Sequence, residues 1–282
     1  KKISTLKNIY SIPRIGKGLT IGGNISDEKI DELFSVLTNY VNEANNFKVD
    51  KILLTATNAF RIARNSPKIV EQVLNKFGIE IEIVSGKREA ELAYLGATYE
   101  LNENSLLGVI DIGGGSTELT IGKNKILEFS QSLNLGVVSL SEKYFSIHPP
   151  SPEALKNAEA EIKSVIKKFD VSRAPQQLIA IAGTPTTLAC IKAKLDQFDE
   201  EKIAGASLSL EEIANQIEIF SSLSLEEISN RFKSVIKNRE DLILSGSLIL
   251  FHVMNYLKIN KVLVSTKGIR YGAIYDYLEK IN

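Results

Sequence analysis

The chain has 282 residues, 44% of them hydrophobic, and its 34 basic residues balance 34 acidic ones. Because the net charge is zero, the molecule has no overall field that would attract nucleic acid, and a bound polyanion would have to meet a local basic group. The single cysteine, Cys190, excludes an internal disulfide, and no segment has the roughly 20 apolar residues of a membrane-spanning helix, so we expect a cytoplasmic protein of two domains.

The first half of the chain alternates helices and strands. "SDEKIDELFSVLTNYVNEANNF" predicts a helix capped by Ser26, because its apolar residues recur at helical spacing. There follow the strand "KILLTAT", a turn with "NAFRIARN", a helix between Ser66 and Gly78, the strand "IEIEIVSG" and the helix "REAELAYLGATYEL". This order implies right-handed crossovers and a parallel sheet. The segment "YSIPRIGKGLT" is one further possible strand.

The pattern changes near Asn104, where "SLLGVIDIGG", "STELTIGKN" and "KILEFSQSLNLG" predict three meandering strands joined by tight turns. Two helices follow, then the strand "QLIAIAG", the helix "TPTTLACIKAKL", several helices, the strand "KVLVSTKG" and the closing helix "IRYGAIYDYLEKIN". The halves share a plan, except that the first lacks an opening hairpin. We therefore predict domains at 1–103 and 104–269, with the closing helix 270–282 packing back on the first.

The segment "VIDIGGGSTELTIG" places three glycines directly after the end of a strand. Glycines let a ligand approach the backbone, so that several N–H groups can converge on an anion. Asp111, at the strand end, can hold a divalent cation, directly or through water, and Ser116 and Thr117 add hydroxyl donors. A glycine-rich hairpin turn without a ligand explains these residues as well.

Two other turns carry candidate ligand groups. "TATNAFRIARN" places Arg61 just beyond the carboxyl end of a strand, where ligands collect in open α/β sheets, and we interpret Arg64 as a solvent-facing charge. "IAGTPTTLA" places Thr184 near a helix N-terminus, a natural phosphate contact. A plain helix cap followed by Pro185 would need no ligand.

Glu89 lies in the first turn of the helix that begins near Gly86. The helix dipole favours an ionised carboxylate there, which suits a group that orients or deprotonates water rather than a general acid. Acidic residues are also routine in first turns. His148 lies in a loop and His252 in an apolar helix, so the histidines predict neither a zinc site nor a catalytic triad.

The motifs "TATNAFRIARN", "VSGKREAELAYLGA", "VIDIGGGSTEL", "IAGTPTTLA", "NREDLILSG" and "STKGIRYGAI", in this order, resemble the exopolyphosphatase and guanosine pentaphosphate phosphohydrolase (Ppx/GppA) family over nearly the whole chain. The resemblance implies an α/β protein with two ribonuclease-H-like domains of the actin-like ATPase superfamily and an active-site cleft between them. It also implies the short form of the family. The family's first phosphate-binding hairpin belongs ahead of Lys1, so we expect the sequence to be N-terminally incomplete.

The resemblance also implies roles for single residues. Glu89 matches the catalytic glutamate that activates water, Arg61 matches a phosphate-contacting arginine, and Asp111 and Glu118 match carboxylates at the Mg²⁺ site. The phosphate- or substrate-binding residues that it implies are Arg14, Arg61, Gly113, Gly114, Gly115, Ser116, Thr184 and Arg270. Arg14 resembles a basic position near the cleft mouth, and the role of Arg270 is not assigned.

The implied activity is magnesium-dependent hydrolysis of the terminal phosphoanhydride bond of inorganic polyphosphate or guanosine pentaphosphate, by a cytoplasmic homodimer. Two alternatives stay open. An ATP-using kinase or ATPase of the same fold would not depend on Glu89, and the segment "GKREAEL" argues against it. A non-catalytic sensor would bind polyphosphate or guanosine polyphosphates without hydrolysis.

Overall fold

The structure, a computed structural model, describes residues 3–11, 13–101 and 104–281. The chain divides into two compact units, Lys1–Glu89 and Ala90–Asn282. This division falls within a helix, Gly86–Thr98, that begins in the first unit and continues in the second. The boundary predicted at residue 103 lies outside the described ranges and stays a prediction.

The first unit is built on a short parallel sheet flanked by helices. Its elements are α1 (Asp27–Asn46), β1 (Leu54–Ala56), α2 (Asn58–Ile62), α3 (Ser66–Phe77), β2 (Ile81–Ile83) and the start of α4 (Gly86–Thr98). Strands β1 and β2 pair in parallel, as the alternation of helices and strands predicts. The Ser26 hydroxyl accepts the Lys29 N–H of α1, and Gly78 ends α3 in the left-handed conformation at φ 68°.

The strand proposed in "YSIPRIGKGLT" is wrong for the residues that the structure describes. Residues 13–20 contain a turn at 15–18 instead, and Ile12 lies outside the described ranges. The backbone has positive φ at Arg14 (47°) and Gly18 (71°), which a strand cannot accommodate. Apolar contacts of Ile15 and Leu19 with the core of the first unit bend the chain here.

The second unit contains a six-stranded mixed sheet in the order β5-β4-β3-β6-β8-β7. Its strands are β3 (Leu107–Ile112), β4 (Thr117–Lys123), β5 (Ile126–Leu133), β6 (Gln177–Ile181), β7 (Ser207–Ser209) and β8 (Lys261–Val264). The predicted meander is confirmed as β3-β4-β5, and β3, β6 and β8 run parallel. The sequence analysis missed β7, because its three residues form only a short edge strand.

Helices cover both faces of this sheet. They are α5 (Val137–Tyr144), α6 (Pro152–Ile166), α7 (Gly183–Lys192), α8 (Glu200–Ile203), α9 (Leu210–Ser222), α10 (Leu225–Phe232), α11 (Ile243–Tyr256) and α12 (Ile269–Lys280). Ala93, Tyr94 and Ala97 of α4 pack on one face, against Val109 and Ile179. The large core with α5, α6, α7, α9 and α11 lies on the other face.

Helix α12, the closing helix of the sequence, packs directly on α4. A side chain at Gly272 would overlap the carbonyl of Leu92, and one at Gly96 would overlap the carbonyl of Gly268. The two backbones therefore approach more closely than any residue but glycine permits. Tyr275 of α12 also donates a hydrogen bond of 2.8 Å to Glu100, just beyond α4.

Candidate functional site

Arg61 and Glu89 form an ion pair in the first unit. The Nη1 atom of Arg61 donates to Oε2 of Glu89 at 2.6 Å and to the carbonyl oxygen of Val84 at 2.9 Å. The Arg61 and Glu89 side chains are 26% and 22% exposed, so solvent and ligands reach both. Both residues were predicted from separate motifs, and the structure brings them together.

The start of α4 explains how Glu89 is held. The Ser85 hydroxyl accepts the Arg88 N–H at 3.2 Å, and the Glu89 N–H donates to the Ser85 carbonyl at 2.8 Å. Glu89 therefore lies in the first turn, as predicted. A carboxylate beside a guanidinium, half-open to solvent, can orient a water molecule and accept its proton.

The three-glycine turn joins β3 to β4 in the second unit. The Gly113 N–H donates to the Ser116 carbonyl at 2.9 Å and closes the turn. Within the described ranges, no backbone carbonyl accepts from the N–H groups of Gly114, Gly115 or Ser116. Gly114 and Gly115 are exposed. Consecutive backbone N–H groups without a partner form a concave site for an anion.

Helix α5 holds this turn in place. The Val137 and Val138 N–H groups donate to the carbonyls of Gly113 and Gly114 at 3.0 and 2.8 Å. A side chain at Gly136 would overlap the carbonyl of Gly114. Gly113 and Gly114 do not have positive φ, so the turn needs glycine for close approach rather than for a left-handed conformation. The sequence analysis missed Gly136, whose only signal was a glycine before a helix.

Asp111 and Glu118 occupy directly opposed positions of β3 and β4. Directly opposed residues of antiparallel strands point to the same face, with Cβ atoms about 5 Å apart. Glu118 accepts a hydrogen bond of 2.6 Å from the Ser132 hydroxyl of β5, its opposed residue on the other side. Both carboxylates are half-buried.

This pair fits Mg²⁺, which is commonly held by one or two carboxylates together with substrate phosphates and water. Two like charges at opposed positions repel each other, and a divalent cation would offset that repulsion. Among the described residues, no group of three or more histidine, cysteine, aspartate or glutamate side chains forms a metal cluster. Asp111 and Glu118 could supply two of the ligands of such an ion.

The turn from β6 to α7 carries strain. Ala182 has φ 76° and ψ −164°, a conformation almost confined to glycine. Thr184, the predicted phosphate contact, is buried, and a side chain at Gly246 would overlap its hydroxyl, so Thr184 packs against α11. A side chain at Gly183 would overlap the guanidinium of Arg239. Arg239 thus places a cation at the start of α7.

Arg239 is a candidate that the sequence analysis did not select, although it lies in the quoted motif "NREDLILSG". Of the remaining predicted residues, Arg14 is half-buried in the first unit and Arg270 is exposed in the first turn of α12. The Thr186 hydroxyl bonds within the first turn of α7, where it donates to the carbonyls of Ala182 and Gly183 at 2.9 and 3.0 Å.

The histidines take no part in these groups. Both ring nitrogens of His148 and the Nε2 atom of His252 are buried without a hydrogen-bond partner among the described residues. Burial lowers the pKa of both imidazoles. None of the helices in residues 3–11, 13–101 and 104–281 combines the length and the apolar character that crossing a membrane requires.

Comparison with known proteins identifies the family of the chain. Residues 1–281 match the model of the Ppx/GppA phosphatase family. The chain is 29% identical to the crystal structure of the Aquifex aeolicus Ppx/GppA family member, with a TM-score of 0.85 over 96% of this chain and 88% of that one. It is 25% identical to an exopolyphosphatase from Cytophaga hutchinsonii, with a TM-score of 0.87 over 98% and 90%.

A curated relative is more than twice as long as the part of it that matches this chain. The chain is 28% identical, over 290 aligned positions, to the bifunctional 3-dehydroquinate synthase/phosphatase of Fusobacterium nucleatum subsp. nucleatum. The match includes 99% of this chain and 43% of that protein, so the chain spans less than half the length of this relative. The family match along the chain and the similarity of fold to the solved members agree with the two-unit α/β architecture. The chain therefore belongs to the Ppx/GppA phosphatase family.

Proposed function

We propose that the protein hydrolyses the terminal phosphoanhydride bond of inorganic polyphosphate or guanosine pentaphosphate. The observation that carries the proposal is the ion pair between Arg61 and Glu89. Its Nη1–Oε2 distance is 2.6 Å, and both side chains are partly exposed to solvent. It joins a group able to accept a proton from water to a group able to bind a phosphoryl oxygen. The similarity to an exopolyphosphatase supports a phosphoanhydride substrate.

Glu89 is the general base of this proposal. Its carboxylate orients a water molecule and accepts a proton as the water oxygen attacks the terminal phosphorus. The bridging P–O bond breaks, inorganic phosphate leaves, and the remaining chain is shorter by one phosphate. The water must attack in line with the bond that breaks, so positioning accounts for much of the rate.

Charge on the transferring group is neutralised by fixed groups. Arg61 would offer guanidinium donors to this charge. The N–H groups of Gly114, Gly115 and Ser116 are assigned as phosphate contacts because they match the glycine-rich motif of the family. Thr184 and Arg270 are assigned here as further phosphate contacts, and Arg14 as a basic group in the first unit. Each role rests on the residue's match to a family motif.

Asp111 and Glu118 would hold Mg²⁺ in this proposal. When bound, the ion would supply positive charge that stabilises the phosphate oxygens. The Ser132 hydroxyl would help to orient the Glu118 carboxylate for this role. We further propose that the enzyme is a cytoplasmic homodimer.

Two other functions make different predictions. An ATP-using kinase or ATPase of the same fold would turn over ATP independently of Glu89. A sensor would bind polyphosphate or guanosine polyphosphates and release no phosphate. The pairing of Glu89 with Arg61 favours hydrolysis, because a pure binding site for a polyanion gains nothing from a carboxylate.

The test is phosphate release from long-chain polyphosphate, guanosine pentaphosphate and ATP, each with Mg²⁺. Wild type is compared with Glu89→Gln and with Glu82→Gln, the same change at an exposed residue of β2. We expect wild type and Glu82→Gln to release phosphate from polyphosphate or guanosine pentaphosphate. Glu89→Gln should reduce this release at least roughly 1,000-fold, because it removes an essential general base. ATP turnover that survives Glu89→Gln, or binding without release in wild type, would overturn the proposal.

A further inference from the structure

Three segments of the first unit concentrate positive charge. Residues 13–23, 57–66 and 85–89 contain six basic side chains and one acidic side chain, Glu89, in a protein whose total charges balance. We call these segments the basic surface. Its basic residues are Arg14, Lys17, Arg61, Arg64, Lys87 and Arg88.

Hydrogen bonds hold the three segments side by side. The Gly22 N–H donates to the Ile62 carbonyl at 2.9 Å, and the Arg64 N–H donates to the Gly23 carbonyl at 2.8 Å. The Arg61 guanidinium joins the second segment to the third through Val84 and Glu89. The basic surface is therefore one continuous feature of the first unit.

Lys17 lies at the turn of the first segment, between two residues that the core holds. Ile15 and Leu19 pack against the apolar cluster that contains Phe60 of α2, while Lys17 is exposed. The Lys17 N–H donates to the Arg14 carbonyl at 2.9 Å, and a side chain at Gly16 would lie 3.6 Å from the Cβ atom of Ala59. The turn is thus fixed beside α2.

Lys17 is also available to a ligand. It forms no ion pair with any residue in the described part of the chain, whereas Arg61 is paired with Glu89. An exposed ammonium group on an ordered turn can bind a phosphate without first breaking an internal ion pair.

The composition of the basic surface also indicates which polyanion it fits. Its single aromatic residue is Phe60, which is 8% exposed and belongs to the core. A site for a nucleobase usually offers an exposed aromatic ring for stacking. A row of cations without such a ring fits a ligand that presents repeated charge and no base.

We propose that the basic surface binds the internal phosphates of a linear polyphosphate chain and that Lys17 is a substrate-binding residue there. The assignment of those phosphates as internal rests on the proposed function, which places the terminal phosphate at Arg61 and Glu89. Binding of the chain itself does not require hydrolysis.

The first measurement is equilibrium binding of long-chain polyphosphate and of inorganic triphosphate, with a chelator present. Wild type is compared with Lys17→Gln and with Lys51→Gln. Lys51 is also an exposed lysine of the first unit, but it precedes β1, at the opposite end of the strand from α2. We expect Lys17→Gln to weaken long-chain binding roughly five-fold and to flatten its salt dependence, as the loss of one exposed phosphate contact would.

In Lys17→Gln we expect triphosphate binding to change less than about two-fold, as when an exposed charge makes no important contact. Lys51→Gln should bind both ligands as wild type does. Equal long-chain binding in Lys17→Gln and Lys51→Gln would overturn the inference. So would an equal loss for both ligands in Lys17→Gln. These outcomes are independent of catalysis: a protein that releases no phosphate but loses long-chain binding in Lys17→Gln contradicts the proposed hydrolase and supports the binding surface.

Discussion

The Nη1 atom of Arg61 lies 2.6 Å from Oε2 of Glu89 and 2.9 Å from the Val84 carbonyl, so a single nitrogen joins α2 to the β2–α4 connection. The arginine therefore has two functions that can be separated. It orders the connection through the neutral carbonyl, and it faces the carboxylate that we propose as the general base. A phosphoryl group that binds Arg61 would share the guanidinium with Glu89.

We expect Arg61→Gln to lower kcat/KM for phosphate release by about 100-fold, a typical cost of removing one group that stabilises charge in the transition state. The kcat/KM of Arg61→Lys should lie between those of wild type and Arg61→Gln, because lysine keeps the charge but lacks the planar, forked guanidinium. Initial rates with the preferred substrate measure this. Arg173→Gln, at an exposed arginine of the second unit, is the control. Full activity in Arg61→Gln would contradict the assigned role.

Asp111→Asn should raise the Mg²⁺ concentration required for half-maximal activity on the order of ten-fold, because one of two opposed carboxylates loses its charge. A magnesium titration of phosphate release measures the shift. Ser132→Ala, which removes only the hydroxyl that donates to Glu118, should shift the titration less. An unchanged magnesium requirement in Asp111→Asn would place the ion elsewhere.

Two glycines of α4 should differ in their response to alanine. Alanine usually stabilises a helix relative to glycine, and at Gly86 an added methyl group would meet nothing within 4 Å. At Gly96 it would overlap the backbone of α12 at Gly268. We expect Gly96→Ala to lower the free energy of unfolding by about 2 kcal/mol and Gly86→Ala to change it by less than about 0.5 kcal/mol.

Denaturant unfolding of both variants checks this prediction. If Gly96→Ala were as stable as wild type, α12 could not pack as closely on α4 as the structure has it.

Ala182→Gly should stabilise the protein by about 1 kcal/mol, because it relieves a positive φ that alanine tolerates poorly. Ala180→Gly is the matched change two residues earlier, in the buried part of β6, and should destabilise the protein. The shift of the unfolding midpoint relative to wild type decides the sign for each. A loss of stability in Ala182→Gly would show that the turn is not strained.

His148, which is half-buried, and His252, which is buried, should make stability depend on pH. Burial lowers the pKa of His148 and His252 below the ordinary value of 6.5, so the unfolded chain binds more protons than the folded one near that pH. The free energy of unfolding should therefore decrease as the pH falls from about 7.5 to 5.5, by at most about 1.4 kcal/mol per pH unit for each histidine.

Unfolding midpoints measured across this range for wild type and for His148→Gln combined with His252→Gln test the prediction. The double variant should show a flatter dependence. Nearby charges modify the effect at each site: Asp241 raises the pKa of His148, and at His252 Glu159 raises the pKa while Lys163 lowers it. An identical slope in both proteins would assign the dependence to other groups.

The elements that local interactions control could be predicted from the residues alone. The cap at Ser26, the glycine that ends α3, the β3-β4-β5 meander and the first-turn position of Glu89 follow from residue types at fixed spacings. Such features depend on hydrogen bonds and periodicity within a few residues of the chain. The ordered motifs also carried the family assignment, which comparison with known proteins confirms.

Only the tertiary structure decided which distant groups meet. Glu89 lies 28 positions after Arg61, and no local pattern in the sequence indicates that the two residues pair. The strand expected near residue 13 is a loop instead, because Ile15 and Leu19 pack on the core. The close approach of Gly136 to the three-glycine turn and of Gly96 to α12 likewise arises from long-range packing. Burial and close approach are properties of the assembled chain, and local propensity cannot encode them.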